Sequence, residues 1–188
     1  MTSITIPEGV TSIGYSAFSY CTSLNSIIIP EGVTSIGMYA FYVCSNLTSI
    51  TLPNSVTSIG SYVFASCTNL ASVTLPNSIT SIGDSVFKRC ESLASVIIPE
   101  SVTSIGDYAF YQCTSLSSIT IPKGVTSIGA RAFRDCITLG RVHFEGAFPT
   151  FGTDLYGPTS PTSHFQDQGI RHRLSMTGLH LTPTNWRK

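Results

Sequence analysis

The sequence predicts a solenoid of stacked parallel β coils, and three observations carry that prediction. Cysteine recurs at 21, 44, 67, 90, 113 and 136, each 23 residues after the last. Four further columns hold the same register: Pro7 to Pro122, Ile13-Gly14 to Ile128-Gly129, Phe18 to Phe133 and Leu24 to Leu139. Within each unit a stretch such as Ser3-Ile4-Thr5-Ile6 alternates polar and apolar β-branched residues, as a short half-buried strand does. A fixed period of this length is the mark of a repeat architecture, in which each unit is one supersecondary element.

The unit reads, in outline, L-x-S-I-T-I-P-E-G-V-T-S-I-G-x-x-A-F-x-x-C-T-S. In its strand Ile4 and Ile6 point inward, with Ile27 and Ile29, Ile50 and Leu52, or Val73 and Leu75 after them, while Ser3 and Thr5 point out. Pro7 ends the strand because it cannot donate to a ladder. Pro-Glu-Gly or Pro-Asn-Ser then suits a turn with proline at its second position. Gly9, Gly32 and Gly124 give way to Ser55, Ser78 and Ser101 in the other units, so a left-handed backbone is not required there. Val10-Thr11-Ser12-Ile13 makes a second extended piece, closed by Gly14. Ala17-Phe18-x-x-Cys21 has helical spacing, with Ser61, Asp84 and Asp107 where N-caps would stand, and predicts one short helical turn per repeat. The fold class is therefore mainly β, an α/β repeat architecture of parallel coils.

Stacking is what makes such units stable. Burying a large apolar side chain is worth ~1.5–3 kcal/mol, while ordering the backbone costs ~1–2 kcal/mol per residue. One unit alone gains little on that balance. A stack, with strands ~4.8 Å apart, turns the separate strips into one continuous core.

Composition narrows the function classes. Hydrophobic residues make up 42% and charged residues only 11%, against roughly 25% charged in ordinary soluble domains. The formal net charge is zero, which gives no footing for nucleic acid or an anionic membrane. No apolar run approaches the ~20 residues of a membrane span. The opening Met1 to Pro7 lacks the basic and apolar regions of a signal peptide.

The motif L-x-S-I-x-I-P-x-x-V-T-S-I-G-x-x-A-F-x-x-C resembles the BspA-type class of leucine-rich repeats, in period and in its A-F-x-x-C ending, over roughly residues 2 to 145. The resemblance implies a leucine-rich repeat solenoid of an exported or cell-surface protein. It further implies adhesion to host proteins, matrix or other cells, with no catalytic activity and no cofactor. It transfers no invariant binding residue, because ligands of such proteins are read by variable surface positions. The expected organisation is a solenoid over 1–145 (six coils and a seventh strand), an irregular closing segment over 146–163 and an aperiodic tail over 164–188. A disordered tail, a foreign junction and a shifted reading frame all fit the last stretch, which includes Arg171-His172-Arg173 and Trp186-Arg187-Lys188. The start in mid-unit leaves a first coil without the cap a solenoid needs, which fits a piece of a longer array and predicts end-to-end self-association.

Candidate chemistry is sparse. The six cysteines share one inward position, so a buried thiol ladder is favoured over three disulfides. No C-x-x-C pair suggests a metal. Of the four histidines only His143 lies in the repeat frame; His164, His172 and His180 sit eight apart, without metal-site spacing. Acids are scattered at turns and starts, and no carboxylate pair is placed for acid–base work. No catalytic residue, metal or cofactor is therefore predicted.

The outward surface is the informative part. One column runs Ser3, Ser26, Ser49, Ser72, Ser95, Ser118 and Arg141, beside Thr5, Ile28, Thr51, Thr74, Ile97, Thr120 and His143. A third row is the Thr-Ser pair from Thr11-Ser12 to Thr126-Ser127. Tyr39, Tyr62 and Tyr108 recur after the Ile-Gly pair, and tyrosine is favoured at interfaces. These residues make the candidate surface for a protein or glycan ligand. Hydroxyl ladders that merely solvate the coils, and tyrosines that pack on the neighbouring coil, are the plain readings beside it. A spacer array with no ligand is the alternative function. An ice-binding face is a remote one, weakened because Ile28 and Ile97 interrupt the threonine column.

Overall fold

A computed structural model describes residues 2–157 and the backbones of 164–167 and 170–173. Trp186-Arg187-Lys188 and His180, singled out above, lie outside the described residues. Counting coils from each conserved leucine, the first three contain β1 (Thr2–Thr5), β2 (Ser12–Ile13), β3 (Leu24–Ile28), β4 (Ser35–Ile36), β5 (Ser49–Thr51) and β6 (Ser58–Ile59). Later coils contain β7 (Ser72–Thr74), β8 (Ser81–Ile82), β9 (Ser104–Ile105), β10 (Ser118–Ile121), β11 (Ser127–Ile128), β12 (Arg141–Phe144) and β13 (Thr150–Phe151). Two further strands follow, β14 (His164–Asp167) and β15 (Ile170–Arg173).

Strands of successive coils pair in parallel with the register of the repeat. Ser3 lies opposite Ser26, Ser49 opposite Ser72 and Ser118 opposite Arg141. The second strands stack likewise, as β2-β4-β6 and as β8-β9-β11-β13, in two separate sheets. The period continues past Glu145. Thr150 and Phe151 pair with Ser127 and Ile128, and Tyr156 stacks on Phe133 at 6.0 Å in the place a seventh phenylalanine would fill. β14 pairs with β12 so that His164 faces Arg141, again one period on. β15 then turns back antiparallel to β14.

The expected short helical turn is corrected: among the described residues no helix forms. The stretch after each Ile-Gly is a ribbon of turns. In the first coil the amides of Ala17, Ser19 and Cys21 donate three residues back, to Gly14, Ser16 and Phe18. The amides between them, of Ser16, Phe18 and Tyr20, donate instead to Met38, Ala40 and Tyr42 of the next coil, at 2.7–3.0 Å. Three such bonds recur at every junction, through to Arg131, Phe133 and Asp135. A helix would spend every amide within its own coil and leave the stack without this ladder. Six residues also fall far short of a stable helical nucleus.

The alternation requires two left-handed residues per coil, flanking each phenylalanine, at φ of 53–61° from Ser16 and Tyr20 to Arg131 and Asp135. Asp84 and Asp107, expected as helix N-caps, cap across the junction instead. Their carboxylates accept the amides of Asp107 at 2.9 Å and Ala130 at 2.7 Å.

The Gly/Ser exchange after proline has two solutions. Gly9 and Gly32 adopt positive φ, at 88° and 144°. Ser55, Ser78 and Ser101 do not, and their hydroxyls donate to Val33, Val56 and Ile79 carbonyls of the preceding coil at 2.5–2.8 Å.

The core is a set of columns. Phenylalanine rings from Phe18 to Phe133 stack nearly parallel, centroids 5.3–5.7 Å apart. Phe41, Phe64, Phe87, Phe110 and Phe133 have no exposed surface. The cysteines are free thiols, buried except at half-buried Cys21. Each buried thiol donates to the phenylalanine carbonyl of the preceding coil, from Cys44 on Phe18 to Cys136 on Phe110, at 3.0–3.2 Å.

Burial, first, pushes the Cys90 and Cys113 thiols up from their ordinary range. The folded state therefore keeps protons that the unfolded chain releases. Stability from this source is complete below pH about 9 and falls as pH rises above it. In native protein at pH 8, iodoacetamide is expected to label Cys21 alone, and all six cysteines only after unfolding. Intact-mass spectrometry reads the outcome, and even labelling of the native column would contradict the assigned burial.

Candidate binding surfaces

The strand face presents its side chains as the alternation requires. Ser26, Ser49, Thr51, Ser72, Thr74, Ser95, Ser118, Thr120 and Arg141 are exposed, and His143 is half-buried. Ile28 and Ile97 stand among them, 64% and 87% exposed. The parallel register brings Thr51 beside Thr74 and Thr120 beside His143. The Thr-Ser row on the second strands is also exposed on its threonines. Four of the six threonine hydroxyls are committed, however. Thr34, Thr57, Thr103 and Thr126 each donate to the threonine carbonyl of the preceding coil at 3.1–3.3 Å. This ladder solvates and ties the coils, and leaves few donors for an outside ligand, ice included.

The turn ribbon makes another surface. Tyr39, Tyr62 and Tyr108 occupy left-handed positions at φ 60°, 60° and 55°, which sends their rings out from the coil beside their neighbours. Tyr39 and Tyr62 stack at 4.9 Å. Tyr15 meets Tyr39 edge-on at 5.8 Å, Tyr42 meets Tyr39 at 5.4 Å, and Tyr20 meets Tyr42 at 5.4 Å. Five rings thus form one cluster over the first three coils, with Tyr15 71% and Tyr20 66% exposed. Desolvation, followed by the neighbouring phenols of Tyr62, Tyr15 and Tyr42, pushes the Tyr39 hydroxyl up from its ordinary range.

Tyr108 belongs to a different neighbourhood. The Lys88 ammonium lies 5.5 Å from both the Tyr108 and Tyr111 rings, and the Arg131 guanidinium is 5.5 Å from Tyr108. Arg131 also donates to the Tyr108 hydroxyl and pairs with Asp154 at 3.1 Å, and Arg134 pairs with the same carboxylate. The three tyrosines expected as one row are therefore split. Tyr39 and Tyr62 lie in the aromatic cluster, and Tyr108 in a charged one. Sequence reasoning left Tyr15, Tyr20 and Tyr42 out of the candidate set. The ribbon bond from the Tyr20 amide to the Tyr42 carbonyl, 22 residues on, joins the latter two across one step less than the period.

Among the described residues no group of three or more His, Cys, Asp or Glu is placed to hold a metal ion, and no helix is long and apolar enough to cross a membrane.

The chain matches the family model described as BspA type leucine rich repeat region in six copies, over residues 1–113 and 34–163. No curated protein matches it. Among solved structures it is similar to a leucine-rich repeat protein of T. pallidum, with 34% identity and a TM-score of 0.76 over 81% of this chain and 74% of that one. A leucine-rich repeat protein of Bacteroides ovatus ATCC 8483 is 28% identical, with a TM-score of 0.71 over 81% of this chain and 45% of that one. A leucine rich cell surface protein of Faecalibacterium prausnitzii A2-165 is 27% identical, with a TM-score of 0.53 over 77% and 60%. The chain thus spans about three quarters of the first of these and less than two thirds of the other two.

Proposed function

Since the chain belongs to the BspA-type leucine-rich repeat family, we propose that it is a non-catalytic binding scaffold of a secreted or cell-surface protein. Its ligand, a protein or a glycan, docks on the outward serine, threonine and tyrosine surfaces. The observation that carries this reading is the tyrosine cluster of the first three coils. Single exposed apolar residues are ordinary on any protein, but contiguous ones mark interaction sites. Tyrosine is also among the residues that dominate binding energy where interfaces have been scanned. The surface location is supported by the neighbour from F. prausnitzii, which is named a cell surface protein.

The test is a screen of the folded chain against matrix proteins, host-cell surfaces and glycans, repeated with Tyr15→Ser/Tyr20→Ser. We expect a ligand whose affinity falls roughly thirty-fold in the double variant, the loss of about 2 kcal/mol typical of an interface anchor. Uniform failure of a folded protein to bind anything would leave only the spacer role.

A further inference from the structure

We propose that the tyrosine face of the first three coils is a platform for a neutral glycan. This inference rests on the scaffold reading and names the chemistry of its ligand.

The fold itself does not require aromatic rings there. The left-handed position before each phenylalanine is filled by Ser16 and Ser85 in two coils and by Arg131 in another. A residue with a β-carbon pays roughly 1–2 kcal/mol for this conformation whatever its side chain. The left-handed backbone therefore gives no reason to place Tyr39 and Tyr62 on consecutive coils, nor to add Tyr15, Tyr20 and Tyr42 around them; what the choice of tyrosine gains is a set of ring contacts with Tyr15 and Tyr20 left open to solvent.

Charge then selects the ligand. The ribbon of the first three coils (14–23, 37–46 and 60–69) contains no Asp, Glu, Lys or Arg. The first cation in the whole sequence is Lys88, and the charged residues before Asp84 are Glu8 and Glu31, in the Pro-Glu-Gly turns. From the fourth coil onward the same ribbon carries Asp84, Lys88, Arg89, Glu91, Asp107, Arg131, Arg134 and Asp135. A charged ligand has nothing to pair with on the ribbon of the first three coils. A protein partner is often held through arginine as well as aromatic anchors, and this ribbon has neither an arginine nor an acid to pair with one.

What the face does supply matches a sugar. Each tyrosine offers an apolar ring and one hydroxyl able both to donate and to accept. A pyranose has the complementary make-up: an apolar C–H face, with hydroxyls on its rim that also donate and accept. Tyr15 and Tyr20 are the accessible rings, and their edge-to-face contacts with Tyr39 and Tyr42 hold them in place. Rings fixed in this way lose little side-chain entropy on binding.

The experiment titrates the full chain by NMR and calorimetry with neutral gluco-, manno-, galacto- and xylo-hexaoses, and with an acidic hexagalacturonate as comparison. A neutral oligosaccharide is expected to bind and to shift the tyrosine ring signals. Affinity is expected to fall at least tenfold in Tyr15→Ala/Tyr20→Ala, less in Tyr15→Phe/Tyr20→Phe, and not at all in Tyr111→Ala. These exposed side chains can be removed without loss of the fold, which circular dichroism checks. The proposal is overturned if no neutral sugar binds, or if binding persists in the double alanine variant. If cell or matrix binding is lost in that variant but survives periodate oxidation of the ligand's sugars, the glycan is excluded and the scaffold role stands. If ligand binding ignores the tyrosines altogether, the tyrosine face falls with it.

Discussion

Phe64→Ala is expected to lower the stability of the chain by about 3–5 kcal/mol, the range for deleting a large ring from a packed core. Phe64 has no exposed surface and stacks on Phe41 at 5.6 Å and on Phe87 at 5.7 Å. Removing it opens a void in the middle of the one column that runs through every coil. The ribbon bonds on either side hold the backbone, so collapse cannot fill the void cheaply. The Phe64 carbonyl, which accepts the Cys90 thiol at 3.2 Å, would shift with it. Thr57→Ala is the matched control. Thr57 is exposed and its hydroxyl makes one bond, to Thr34 at 3.3 Å, so its loss should cost no more than about 1 kcal/mol. Urea unfolding of both variants decides the matter, and similar losses would mean that the inward and outward columns have been misassigned.

How far the sequence speaks depends on the kind of feature. The columns were legible because burial selects residue type: leucine, isoleucine, phenylalanine and cysteine recur wherever a side chain faces inward. The path of the backbone after each Ile-Gly was not. Ala-Phe-x-x-Cys buries the same residues whether the segment is a helix or a ribbon of turns. Left-handed positions occupied by Tyr39, Val43 and Tyr62 carry none of the usual Gly or Asn signals. The coil after Glu145 hid itself by changing residue types while keeping the step, with Phe151 for isoleucine and Tyr156 for phenylalanine. For the binding surface, the outward serines and threonines could be read from alternation alone. The aromatic cluster could be read only in part: Tyr39 and Tyr62 are one period apart, whereas the Tyr20–Tyr42 and Tyr15–Tyr39 contacts join residues off that period.

The second large effect is expected at a glycine, and only at some of six that the sequence presents as equivalent. A β-carbon on Gly60 would lie 2.5 Å from the Met38 amide nitrogen, and one on Gly129 2.5 Å from that of Asp107. These are backbone atoms of the preceding coil and cannot swing aside. Gly60→Ala and Gly129→Ala should each cost about 1–3 kcal/mol, as overpacking does, by forcing coils apart. Gly14, on the first coil, is open; among the five with a coil before them Gly83 is the exception. Its β-carbon would meet nothing nearer than 3.7 Å, and it follows β8, which belongs to a different sheet from β6. Gly83→Ala should therefore be neutral, or stabilising by up to about 1 kcal/mol through the unfolded chain. The difference lies at the break between the two sheets of second strands and not in a neighbouring carboxylate: Gly60, stacked on Met38, is as close to its neighbouring coil as Gly129, stacked on Asp107. Equal losses at Gly60 and Gly83, measured by urea unfolding, would show that the third and fourth coils are as closely stacked on this edge as the rest.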